Sequence, residues 1–284
     1  MRKPASIAIF VSFVAFASFV HAQPKPAARI VSLVPALTEI VFAVGSGDSV
    51  VAVSSYDEYP PEVKALPRVG ALLDPDVERI IALRPDLVLL YGSQTDLMAQ
   101  LKRASIGFYE YRHGDLSTIT ATIRALGART GRAEAADSLA TNIDGRLAAL
   151  KRRTAGQPKP RTLLVFGRER GSLRNIYASG GRGFLHDILE AAGGTNVFAD
   201  IKMESVQASS EQILTRAPEV IIEVRSTGAV TAAEQQEAAA AWAVLGSLPA
   251  IRNHRIVVLG GQGLVVPGPR IADSAEALAR VLHP

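Results

Sequence analysis

One phrase occurs twice in this chain. Glu78 to Leu90 reads ERIIALRPDLVLL, and Glu211 to Glu223 reads EQILTRAPEVIIE. In both, a glutamate begins a helical stretch, a proline follows seven residues later, and an acid and an apolar strand come next: Glu78, Pro85, Asp86, Leu87 and Glu211, Pro218, Glu219, Val220. Proline lacks the amide a helix needs and fixes φ, so it ends each helix and forces the extended segment. A weaker echo links EIVFAVGSGD with DILEAAGGTN, each a helix stopped at glycine. A chain that spends the same unit twice is expected to form two lobes of like design, each with one glutamate at the N-terminal end of an equivalent helix.

The rest of the chain follows the same alternation. RIVSLVP, VVAV, DLVLL and GFYEY have the composition of buried strands. ALTEIVFAVG, DPDVERIIAL, TDLMAQLKRA and Leu116 to Arg129 have helical apolar spacing, with Asp74 or Asp76 placed to cap the second. Strands and helices alternating at this length predict βα units and a largely parallel sheet. RAEAADSLATNIDGRLAALKRRTAG breaks the rhythm as one long helix, closed by QPKP. The alternation resumes with TLLVFG, FLHDILEAAGG, SSEQILTRA, EVIIEV, an alanine-rich helix around Trp242, RIVVLGG and a last helix from Pro269 to Leu282. The expected fold class is α/β: two Rossmann-like lobes, residues 23–131 and 158–284, joined by a single long backbone helix over residues 132–157.

Residues 1–22 are set apart from this plan. Arg2 and Lys3 precede an apolar run from Ile7 to Val20 and a small-residue stop at Val20-His21-Ala22. That run is shorter than the ~20 residues a membrane span needs, so a secretory signal peptide cut after Ala22 is expected. The sequence contains no cysteine. This excludes disulfides, thiolate metal sites, a cysteine nucleophile and a lipid anchor on cysteine. The formal charge of +4 includes Arg2 and Lys3, and charges of both signs are interspersed, which argues against a nucleic-acid partner.

RIVSLVPALTEIVFAVG, SSYDEYPPEVKALPRVG, LDPDVERIIALRPDLVLL, FLHDILEAAGGTNVFAD and SSEQILTRAPEVIIE, in this order and over nearly the whole chain after residue 22, resemble the periplasmic solute-binding proteins of ATP-driven importers for vitamin B12, ferric siderophores and haem. The likeness is strongest to the cobalamin-binding branch. It implies a monomeric periplasmic receptor that is not an enzyme, has no cofactor of its own, holds its cargo in a cleft between the lobes and hands it to a membrane permease. The same resemblance assigns Glu78 and Glu211 to docking on that permease.

The cargo is less sharply drawn. By resemblance, Tyr56 and Tyr91 are expected to meet a flat ligand, and Gln262 lies near the last ligand loop. The aromatic residues of the cobalamin pattern are replaced near Leu72 and Ser205, and the charged pair near the last loop gives way to GQGLVVPGP, with Gln262 and Val266 at about those places. In their place stands a basic loop after the first strand of the second half, with Arg168, Arg170, Arg174 and Arg182. Loops at the carboxyl ends of strands form the site in βα proteins, and guanidinium forks suit carboxylates. A corrinoid, ferric siderophore or haem is expected, with an acidic quinone cofactor such as pyrroloquinoline quinone as the alternative reading of Arg168 to Arg182. His113, His186 and His254 form no ligand pair, so no protein metal site is expected, although His113 follows a strand where it could touch ligand. No nucleophile elbow, Walker loop or dinucleotide fingerprint is present to support an enzyme.

Overall fold

The first four strands of the computed structural model are β1 (Ile30–Ser32), β2 (Val50–Val53), β3 (Leu87–Tyr91) and β4 (Gly107–Tyr111). They form one sheet in the order β2-β1-β3-β4, with every pair parallel. The structure describes residues 26–226 and 228–284. The signal peptide expected over residues 1–22 lies outside them. Strand β3 shows why the sheet is parallel and covered: Leu87 and Leu89 enter one apolar cluster while Val88 and Leu90 enter another on the opposite face. The covering helices are α1 (Pro35–Ala43), α2 (Val77–Ala82), α3 (Thr95–Arg103) and α4 (Leu116–Arg129).

Helix α5 (Ala133–Thr154) has 22 residues, about 33 Å at 1.5 Å per residue. It buries Ala136, Ala140, Ile143, Leu147, Leu150 and Thr154, a single stripe at helical spacing. The stripe lies against α4, where Gly127 leaves room for the Ala136 methyl that a side chain would fill.

The second sheet contains β5 (Arg161–Gly167), β6 (Ile176–Ser179), β7 (Thr195–Asn196), β8 (Ser205–Ala208), β9 (Val220–Arg225) and β10 (Ile256–Gly260). Its order is β10-β9-β5-β6-β8, with β7 beside β5. Around it are α6 (Phe184–Ala191), α7 (Ser210–Arg216), α8 (Ala232–Trp242), α9 (Pro249–Arg252) and α10 (Ile271–Leu282). The expectation of a largely parallel sheet needs correction here, because β6 is antiparallel to both β5 and β8. Only residues 168–175 separate β5 from β6, too short for the dozen or more residues of a parallel crossover. The basic loop is thus the turn of a hairpin.

Two ties reinforce α5 between the lobes. Arg270, at the start of α10, makes a bidentate bridge to buried Glu39 of α1 at 2.9 and 2.5 Å, with the Tyr59 ring 4.0 Å from its guanidinium carbon. Asp187 of α6 accepts from the Leu116 amide of α4 at 3.1 Å. One apolar cluster runs through both lobes, from Ile30 and Leu37 through Ile143 and Leu147 to Leu164 and Leu278.

The repeated phrase is repeated in space. Arg84 and Ala217, each just before its proline, both take left-handed φ, 47° and 43°. Asp86 accepts from the amides of Ala28 and Arg29 ahead of β1, and Glu219 from the amide of Arg161 opening β5. The Arg29 guanidinium donates to the Leu83 carbonyl at the end of α2, and that of Arg161 to the Arg216 carbonyl at the end of α7. In each lobe the acid after the proline ties its strand to the neighbouring one, and an arginine from that neighbour caps the preceding helix.

Candidate functional site

The strands of both lobes end toward one another, and the side chains at their tips form the site. On the first lobe, Tyr91 closes β3, Tyr111 closes β4 and His113 follows it. Their rings cluster with centroids 5.9, 5.6 and 5.2 Å apart. Burial holds the imidazole of His113 below its usual range, against the opposing pull of Glu204. Burial also raises both phenols, so all three rings are neutral near pH 7. Tyr56 projects from the loop after β2 and is 71% exposed. Its loop is rigid all the same: Asp57, buried, accepts from the Ser54 amide and hydroxyl at 2.9 and 2.5 Å, and Arg68 donates to the carbonyls of Ser54 and Asp57. Leu73, in the turn ahead of α2, is 93% exposed. This lobe presents an aromatic and aliphatic rim.

The second lobe presents charge. Arg182 and Glu204 face His113 across a cavity of about 220 Å³ between the lobes, whose apolar walls are Phe166, Phe184 and Val265. A second cavity, of about 230 Å³, opens at the ends of β5 and β9 and shares the Phe166 wall. Under it lies a buried ionic group. Glu223 accepts from Arg168 at 2.5 Å, from the Trp242 indole at 2.6 Å and from Arg225 at 3.1 Å. Glu237 joins Arg168, Arg225 and the Gly171 amide at 3.0, 2.9 and 2.8 Å. Burial works against the charge of Glu237, yet these donors hold its carboxyl down to about 2.

The sequence-predicted residues distribute unevenly over this geometry. Tyr56 and Tyr91 lie on the first-lobe rim. Arg182 borders the interlobe cavity and Arg170 the second one. Gln262 lies in the short 3-10 turn after β10, directly beyond Gly261, whose amide donates to the Arg225 carbonyl. Arg168 lines the second cavity too, but the expectation that it offers its fork to a ligand is corrected: its side chain is 4% exposed and bound by two carboxylates and two carbonyls. Arg174 is exposed and borders neither cavity. Sequence reasoning left out Phe166, Glu204 and Arg225. Phe166 stands one residue before the end of TLLVFG and Arg225 is the last residue of β9, so reading strand ends as site positions would have found both. Glu204 follows an irregular turn and carries no such signal.

Glu78 and Glu211 are both exposed, in the first turns of α2 and α7. Asp76 caps α2 by accepting from the Arg79 amide, and Ser209 and Gln212 form a capping box on α7. Among the described residues no group of three or more His, Asp or Glu side chains is placed to hold a metal ion, and no helix is long and apolar enough to cross a membrane.

Two braced α/β lobes with a lined cleft between them are the architecture of a solute receptor, and the family match agrees. Residues 30–262 match the periplasmic binding protein family, and the chain belongs to it. It is 33% identical over 258 residues to the vitamin B12-binding protein of Salmonella typhimurium, covering 90% of both chains. It is 30% identical over 263 residues to that of Vibrio cholerae, covering 92% of this chain and 91% of the relative. The crystal structure of periplasmic vitamin B12 binding protein BtuF of Vibrio cholerae superimposes with a TM-score of 0.77 at 29% identity, over 90% of this chain and 97% of that one. A periplasmic haem-binding protein of Pseudomonas aeruginosa shares the fold, with a TM-score of 0.78 at 24% identity over 91% and 93% of the two chains.

Proposed function

We propose that this protein is a periplasmic receptor that captures a bulky metal chelate of the corrinoid, haem or ferric-siderophore kind in its interlobe cleft and delivers it to the permease of an ATP-driven importer. The observation that carries this reading is the 33% identity to a vitamin B12-binding protein over 90% of both chains. The cleft agrees with it, having an aromatic and aliphatic rim for a flat apolar face and a charged wall for polar substituents. Tyr56, Tyr91, Arg170 and Gln262 are its proposed ligand contacts, joined by His113 and Arg182. Glu78 and Glu211, one on each lobe at matching helix positions, are proposed to dock on the permease, where separated charges set orientation more than affinity. The division into residues 23–131, 132–157 and 158–284, export through the signal peptide and a monomeric state belong to the same reading. The protein performs no reaction and carries no cofactor of its own.

The acidic-quinone alternative loses its support. It needs the loop arginines to act together, whereas Arg168 is spent inside the protein and Arg174 borders neither cavity. Calorimetric titration with cyanocobalamin, haem and ferric siderophores tests the receptor reading. One-to-one binding of at least one of them is expected, and no binding to any overturns it.

A further inference from the structure

Polar side chains from both lobes converge on the interlobe cavity without a hydrogen-bond or ion-pair partner among the described residues. Arg182 and Glu204 line it from the second lobe and His113 from the first, between the apolar surfaces of Phe184, Leu185 and Val265. Tyr111 stands edge-on to His113, with ring centroids 5.2 Å apart, and the charge of Glu204 acts on both rings. Tyr111 is 3% exposed, and its hydroxyl is unpaired among the described residues. That hydroxyl still has surface to offer: among the described side chains that are not exposed, only Asp57 Oδ1 and Arg225 Nη1 are both unpaired and closed to solvent. Glu204 is equally unspent. Gly183, at φ 83°, makes room for its stem, which passes 3.2 Å from the place a Gly183 Cβ would take at the start of α6. Helix α6 has no side-chain cap, so the Glu204 carboxylate is not consumed by the helix amides. With Arg182 and Glu204 on one wall and neutral rings on the other, the cavity lining carries no net charge. A carboxylate gains from Arg182 what it loses to Glu204, whereas a carboxamide satisfies both signs, since its oxygen accepts and its nitrogen donates.

We propose that Tyr111 and Glu204 form a clamp across the cleft for a carboxamide arm of the cargo, with the Tyr111 hydroxyl donating to the carbonyl oxygen and Glu204 accepting from the amide nitrogen. Glu204 is then the residue that disfavours carboxylate-armed chelates, because a like charge brought opposite it loses water without gaining a donor. Tyr111 supplies its donor at little cost, since the hydroxyl gives up no bond inside the protein to make the new one. This inference rests on the receptor reading above and narrows it to chelates with amide arms.

The test is calorimetric titration of the full mature protein at neutral pH with cyanocobalamin and with its separated monocarboxylic acids, in each of which one carboxamide is hydrolysed. At least one acid is expected to bind the wild type about tenfold more weakly than cyanocobalamin, the effect of setting a like charge against Glu204. Glu204→Gln keeps the shape and removes the charge, and is expected to bring that acid to within about twofold of cyanocobalamin. Tyr111→Phe is expected to weaken cyanocobalamin about fivefold, the scale of one hydrogen bond, with an unchanged melting temperature. Lost affinity at constant stability separates a ligand contact from a structural role. Should either variant fail to fold, the other decides by itself. Equal binding of every acid and cyanocobalamin by the wild type, discrimination that persists in Glu204→Gln, or wild-type affinity in Tyr111→Phe overturns the clamp. Binding of haem or a ferric siderophore but not of cyanocobalamin also overturns it and leaves the receptor reading standing. Failure of the wild-type protein to bind any of these probes overturns both.

Discussion

The two copies of the repeated phrase part ways at the tips of their strands. Pro85-Asp86 and Pro218-Glu219 do the same work, joining neighbouring strands and ending a helix through an arginine. Four residues past Asp86, Leu90 is buried in an apolar cluster. Four residues past Glu219, the matching position is Glu223, buried among Arg168, Arg225 and Trp242. One residue further, Tyr91 faces the cleft in the first lobe, while Val224 in the second turns into the apolar core and Arg225 takes over the strand tip. A shared scaffold has been given an aromatic tip on one side and an ionic tip on the other.

The largest expected effect separates docking from capture. Charge reversal of both glutamates, Glu78→Arg with Glu211→Arg, is expected to reduce cellular uptake of the cargo by at least about tenfold while its calorimetric Kd stays unchanged, because both residues are exposed and are the proposed docking charges. A shift in Kd would move these residues from docking to binding.

Next comes a direct exchange between the lobes. Glu223→Leu installs the residue that the first lobe uses at the same place, yet it strands two buried arginines and an indole donor. A loss of about 3–5 kcal/mol in denaturant unfolding is expected. A neutral result would mean that the second tip tolerates the apolar design of the first.

Titration should distinguish the lobes by sign. Glu237 is held at about 2 against an ordinary 4.5, so the unfolded chain binds more protons between those values, and stability rises with pH across that window. In the first lobe, burial raises the carboxyls of Glu39 and Asp57, although Arg270 and Ser54 respectively oppose it, so their contribution falls as pH rises above the ordinary carboxylate range. Thermal melts are expected to show a flatter rise between pH 2 and 4.5 in Glu237→Gln, and a weaker decline above it in Asp57→Asn.

The smallest effect tests the shared clamp. Asp86→Ala removes the acceptor of two amides and Glu219→Ala that of one, both at exposed positions, so losses of about 1 and about 0.5 kcal/mol are expected in chemical unfolding. Equal losses would show that the second amide adds nothing.

Much of the fold was legible because its signals are local. Helical spacing marked α1 to α5, proline marked the ends of α2 and α7, and Tyr91 was legible as the end of an apolar strand. Strands β6 and β8 were missed because each is short and lies among glycines and polar residues that read as loop. Arg168 was misplaced because its partners Glu223 and Glu237 are 55 and 69 residues away in the chain. Nothing near Arg168 in sequence distinguishes a fork turned toward solvent from one buried in a lobe.

The amino-acid sequence by itself determined two α/β lobes, one connecting helix and a glutamate at the head of each matching helix, because periodicity and proline act over a few residues. Only the tertiary structure decided which charges face the cleft and which neutralise one another beneath it. Ion pairs form between strands and helices that meet only when the sheet is assembled, and burial then fixes which guanidinium nitrogens remain available.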